Sequence, residues 1–129
     1  IKKILPKIEI SGFDISKHAI KNTPKSIRKY IFNHKAQKKY PFKSENFDLA
    51  ISAGCFHNLE INELKFALKE IQRVSKKSYI MVESYRNNKE LFNLQCWALT
   101  CESFFSKNEW QWLFKEYNYK GYYEFIYFN

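Results

Sequence analysis

The 129 residues are 45% apolar and 19% aromatic, enough for one domain with a buried core and too apolar for a disordered chain. The net charge of +9 comes from 22 Lys and Arg against 13 Asp and Glu, spread mainly over residues 2–43 and 65–77. Spread lysines of this kind suit a solvated surface, with a nucleic-acid patch as the lesser reading. No run approaches the roughly 18 apolar residues of a membrane span and no signal-peptide pattern is present, so a soluble cytoplasmic protein is expected. Cys55, Cys96 and Cys101 form no C-x-x-C pair, and His18, His34 and His57 are scattered. Neither a disulfide framework nor a metal site is expected.

In chain order, Ile1–Leu5 reads as the last turn of a helix stopped by Pro6. Residues 8–13 read as a strand ending at Asp14. Ser16 can cap a short helix over 17–22, and Pro24 breaks the chain after it. Residues 27–33, basic and β-branched, suit an outer strand, and 34–46 a loop. Phe47–Ser52 is a nearly continuous apolar run, the mark of a strand covered on both faces. Gly54 follows its carboxyl end. Asn62 can cap the next helix, over 63–76, where Leu64, Ala67, Leu68, Ile71 and Val74 fall on one side. Residues 78–83 form a second buried strand. Strand, crossover helix and strand make a βαβ unit, and such units imply a parallel sheet.

Tyr85–Lys89 is a polar link and 90–99 a helix with apolar residues round much of its surface. Ser106 and Glu109 form a capping box before a helix carrying Trp110, Leu113, Phe114 and Tyr117 on one face. Gly121 ends it, and residues 122–128 close the chain as an aromatic strand.

Asp14 stands out among the polar residues. It lies at the carboxyl end of a strand just before a helix, the edge at which parallel sheets bind ligands. A carboxylate there can accept both hydroxyl protons of a ribose; the plainer alternative is a helix cap.

Tyr40-Pro41-Phe42, Asn46–Ser52, Phe56-His57-Asn58-Leu59 and Ala67–Val74 occur in an order and at a spacing that resemble a class I S-adenosylmethionine-dependent methyltransferase, most closely the type 11 methyltransferase domain. The resemblance covers residues 7–84. It implies an α/β, Rossmann-like fold with a mainly parallel sheet, helices on both faces, and a single domain over 1–129. It gives Asp14 the adenosine ribose and lays Ile15 against adenine. The family usually has Gly-Asp-Ala where this chain has His34-Lys35-Ala36, and an ammonium cannot accept a bond from the adenine amino group. The resemblance therefore leaves adenine to backbone groups around Ala36 and to Gln37, or else implies weak affinity for the cofactor.

By the same resemblance Ala53 lines the methionine part of the cofactor, and the loop 53–57 faces the transferred methyl. His57 is the candidate catalytic base for an attacking oxygen or nitrogen. The plainer reading, that it packs or caps below the loop, is preferred because many methyl transfers need positioning more than base catalysis. Cys55 reads as a small hydrophobe. The resemblance also makes 85–129 a substrate-covering tail plus the last helix and strand, with Trp97, Phe104, Phe105, Trp110 and Trp112 as candidate lining for an acceptor pocket.

Gly12, Gly54 and Gly121 cannot supply the family's Gly-x-Gly-x-Gly loop, so that loop and the first strand are expected to lie ahead of Ile1. Either a fragment inactive by itself or a degraded domain is the expectation. The function implied is methyl transfer from S-adenosylmethionine to a small-molecule or sugar-type acceptor. The rivals are an RNA methyltransferase, an NAD-dependent dehydrogenase fragment and an inactive Rossmann-like binding module. Strands 8–13, 28–33, 47–52 and 78–83 are expected in one parallel sheet. With strand one absent, 8–13 should close on 47–52, the chain should self-associate through the open edges, or it should be unstable.

Overall fold

A computed structural model describes residues 4–129. The helical ending expected over Ile1–Leu5 falls largely outside the described residues. The chain forms two compact units, the first ending at Ala36 and the second running from Gln37 to Asn129.

The first unit holds β1 (Gly12–Asp14), α1 (Lys17–Asn22), α2 (Lys25–Arg28) and β2 (Ile31–Asn33). β1 and β2 pair in parallel, Phe13 opposite Phe32, with the two rings 5.8 Å apart. Ser16 caps α1 as expected, its Oγ accepting from the Ala19 N–H at 3.1 Å. The expected strand over 27–33 is instead a helical turn followed by a three-residue strand. Pro24, at φ −50°, leads into α2, and the Ile27 and Arg28 N–H groups both donate to its carbonyl. The strand expected over 8–13 is likewise confined to Gly12–Asp14.

The second unit holds β3 (Phe47–Ala53), a 3₁₀ turn (Phe56–Asn58), α3 (Ile61–Val74), β4 (Ser75–Glu83), α4 (Asn88–Trp97), α5 (Lys107–Glu116) and β5 (Tyr122–Ile126). The strands form one parallel sheet in the order β3-β4-β5, with Ile51 opposite Tyr79 and Tyr79 opposite Tyr122. The βαβ reading of β3, α3 and β4 holds.

α3 begins at Ile61, ahead of the expected Asn62 cap, because Glu63 reaches back to accept from the Glu60 N–H at 3.2 Å. Its buried stripe is Leu64, Ala67, Leu68, Ile71 and Val74, as the spacing requires. Each large aliphatic residue buried there contributes about 1.5–3 kcal/mol. No loop separates α3 from β4: Ser75 Oγ donates to the Ile71 carbonyl at 2.7 Å while its backbone already starts the strand.

The period-two alternation in β4 decides which face is dry. Ser78, Ile80 and Val82 are buried on one face, with Trp110, Leu113 and Phe114 of α5 buried near them; Phe114 packs on Tyr123 at 4.7 Å. On the other face Leu49 and Ile51 are 51% and 53% exposed. The expectation that β3 is covered on both faces is therefore corrected: an apolar run gives no sign of which of its two sides has a neighbour.

The single sheet is corrected too. Among the described residues β1-β2 and β3-β4-β5 are separate sheets, and 8–13 does not close on 47–52. The α/β, Rossmann-like class stands, with parallel sheets flanked by helices.

Candidate active site

A cavity of about 390 Å³ opens in the second unit, lined by Gly54, His57, Asn58, Glu83, Trp97, Ala98, Leu99 and Thr100. Gly54 and Glu83 stand at the carboxyl ends of the adjacent strands β3 and β4, where parallel sheets place ligands. Gly54 leaves β3 at φ +59° while its N–H still bonds the Met81 carbonyl at 3.0 Å. That positive φ turns the chain off the sheet and into the 3₁₀ turn, and side-chain-bearing residues adopt it at a cost. A Cβ at this position would stand 3.6 Å from Glu83 Oε1, an ordinary contact, so it is the backbone angle and not lack of space that calls for glycine.

The turn presents His57, which is 4% exposed, and Glu83 is 4% exposed beside it. Nδ1 of His57 lies against Oε2 of Glu83. Among the described residues each of these atoms has only the other as polar partner. The peptide carbonyl of His57 accepts from both the Glu102 and Ser103 N–H groups, at 3.1 and 3.0 Å. Those bonds tie the segment after α4 across the strand ends and fix the cavity's far wall. Thr100 Oγ1 donates to Asn58 Oδ1 at 2.8 Å, and the Asn58 amide donates to the Gly54 and Cys55 carbonyls at 3.4 and 3.3 Å. The polar side of the cavity is thus held by its own hydrogen bonds. Trp97 supplies an aromatic wall, packed on Phe128 at 4.7 Å.

Of the aromatics expected to line an acceptor pocket, Trp97 lines this cavity and the others do not. Trp110 is core, its indole N–H donating to the Glu83 carbonyl at 3.2 Å, and Phe105 packs edge-on against it. Phe104 packs on Leu94, Ala98 and Cys101, and Trp112 is 58% exposed. Burial pushes the Cys101 thiol up to about 11, which keeps it neutral and unreactive.

Asp14, Ile15 and Ala36 belong to the first unit, and Gln37, Ala53 and His57 to the second. Asp14 ends β1 exposed, with Oδ1 accepting from the Ser16 N–H at 2.7 Å. Its backbone carbonyl accepts from the Asn33 amide at 3.0 Å. Ile15 is 61% exposed and Ala36 is buried. Gln37 donates its amide to Glu63 Oε1 at 3.2 Å, which anchors it to the first turn of α3. Ala53 is exposed at the end of β3, and Lys35 is exposed. In the second unit Ala53 and His57 thus flank one loop.

Glu83, Asn58 and Thr100 escaped the sequence reading. The signal for Glu83 was present: a carboxylate closing a buried strand at its carboxyl end, as Asp14 does. Among the described residues no three of His, Cys, Asp and Glu converge as metal ligands do. No helix there is long and apolar enough to cross a membrane.

No curated protein and no solved structure matches the chain. A family model described as Methyltransferase domain matches residues 1–118, rather than the nicotinamide dehydrogenases that Asp14 taken alone would also permit. With the parallel βαβ unit, the loop after β3 and the cavity at the strand ends in place, that match identifies the chain as a member of the methyltransferase domain family.

Proposed function

We propose that the protein transfers a methyl group from S-adenosylmethionine to a small-molecule or sugar-type acceptor held in the cavity at the carboxyl ends of β3 and β4. The observation that carries this reading is the cavity itself: about 390 Å³, within the usual range for small ligands, at the ligand-binding edge of a methyltransferase-family sheet. In the first unit, two residues suit the cofactor role that the family resemblance gives them. Asp14 keeps a second carboxylate oxygen for a ribose hydroxyl, and Ile15 offers an apolar side chain beside it. In the second unit, the family resemblance gives Gln37 to adenine and Ala53 to the methionine part. When bound, S-adenosylmethionine supplies an electrophilic methyl carbon on a sulfonium. The chain's own work is to position the acceptor, exclude water and manage any proton the acceptor loses.

Calorimetry with S-adenosylmethionine, followed by label transfer from its methyl group, tests this. It is run on residues 1–129 and on the same chain preceded by a Gly-x-Gly-x-Gly segment. Binding and label transfer by the longer chain are expected, with negligible binding by residues 1–129. No binding by either overturns the enzyme reading in favour of an inactive module.

One observation favours a second reading, RNA as the acceptor. Residues 15–44 hold nine Lys and Arg and no Asp or Glu, so the whole net charge resides in that stretch. In the first unit Lys17, Lys21, Lys25, Lys29 and Lys35 are exposed and make no ion pair among the described residues. Label appearing in an RNA fraction instead of the small-molecule fraction selects this reading.

A further inference from the structure

We propose that His57 and Glu83 form a general-base dyad, and that the acceptor is protic: a phenol-, enol- or alcohol-type hydroxyl that loses its proton as it is methylated. This rests on the methyl-transfer reading above. A thioether or tertiary amine, with no proton to lose, would need no such pair.

The geometry assigns the roles. An ionised carboxylate only accepts hydrogen bonds, so the Nδ1 of His57 against Glu83 Oε2 carries the proton. In a neutral imidazole the lone pair is then on Nε2. Nε2 makes no hydrogen bond among the described residues, while Nδ1 is buried, and the ring lines the cavity. The Glu102 and Ser103 amides on the His57 carbonyl hold the ring's backbone still. Glu83 is placed by its own strand and by the Trp110 indole on its carbonyl. Glu83 is therefore a positioning residue, and His57 is the group that meets the acceptor. Two buried polar side chains are a costly way to fill this space, since an apolar pair of similar volume is often neutral or stabilising.

The step balances. A lone pair of the acceptor oxygen forms the bond to the methyl carbon, and the carbon–sulfur bond breaks with its electron pair passing to the sulfonium sulfur. The acceptor's proton goes to Nε2, and the imidazolium, facing Glu83, returns it to water afterwards.

The test is long-range ¹H–¹⁵N correlation on ¹⁵N-labelled protein near neutral pH, with His57 assigned by the signals lost in His57→Gln. Phenol and anisole are the probes, sharing the ring and its oxygen, with a methyl group in anisole where phenol has the hydroxyl proton. A protonated Nδ1 and an unprotonated Nε2 are expected, with the Nε2 resonance shifted by phenol and not by anisole. In Glu83→Gln the tautomer preference should relax. Nε2 protonated in the resting protein, equal shifts from both probes, or no shift from phenol would overturn the dyad. These outcomes are independent of S-adenosylmethionine calorimetry, so a failed cofactor reading and a failed dyad are told apart.

Discussion

Arg73 grips Glu70 with two parallel hydrogen bonds, Nε to Oε1 at 2.6 Å and Nη2 to Oε2 at 2.7 Å. The same guanidinium donates to the carbonyls of Tyr40 and Phe42, and Glu70 Oε2 accepts the Tyr40 N–H at 2.7 Å. One side-chain pair on α3 thus staples the loop that leads into β3.

The Arg73 hydrogen bond holds the Glu70 carboxyl below its ordinary value of 4.5, against a smaller upward push from burial. A depressed carboxylate stabilises the fold above the unfolded pKa, and that stability is lost as pH falls through the folded value. Acid titration of stability should therefore show a loss beginning near the ordinary glutamate range, and Glu70→Gln should make that loss shallower. An unchanged profile in the variant would remove the staple from the acid response.

Glu83→Ala leaves a buried His57 N–H without its partner, which should cost about 1–3 kcal/mol in urea unfolding. The double variant His57→Ala/Glu83→Ala should cost less than the two single changes added together, because the polar group left stranded by the first change is removed by the second. Additive costs would mean that the two residues do not act as a pair.

Asp14→Ala should weaken S-adenosylmethionine binding by about 2 kcal/mol or more, the loss of charge-assisted bonds to ribose, in the chain that carries a glycine-rich segment ahead of Ile1. Calorimetry on both forms measures it. Equal affinities would leave Asp14 with only its bond to the Ser16 N–H.

Gly121 sits where a Cβ would run into Ser78 Oγ and the Tyr119 ring. Gly121→Ala should destabilise by roughly 1–3 kcal/mol as that corner is overpacked. Thermal melting of the variant is the measurement, and an unchanged midpoint would show that Tyr119 can move aside.

β3 has β4 on one side and no second strand bonded to it among the described residues, and Leu49 and Ile51 are half exposed on it. Self-association or poor stability is expected of residues 1–129 alone. Light scattering should give a mass above the 15.6 kDa of one chain, or urea should unfold the chain at low concentration. A stable monomer would show that this edge is tolerated.

The sequence by itself determined the βαβ unit, since the apolar run 47–52 and the three- and four-residue steps of Leu64, Leu68 and Ile71 are local periodicities. It determined the caps at Ser16 and Ser106 for the same reason: a side chain bonding three residues along leaves its mark in adjacent letters. It also placed His57 on the loop beyond β3. What needed tertiary structure was pairing at long range. Glu83 lies 26 positions from His57, and only the parallel register of β3 with β4 sets the two side by side. The same holds for the division into two sheets and for the open face of Leu49 and Ile51. A strand's sequence records that it is apolar, but its neighbours are chosen by hydrogen-bond partners far along the chain.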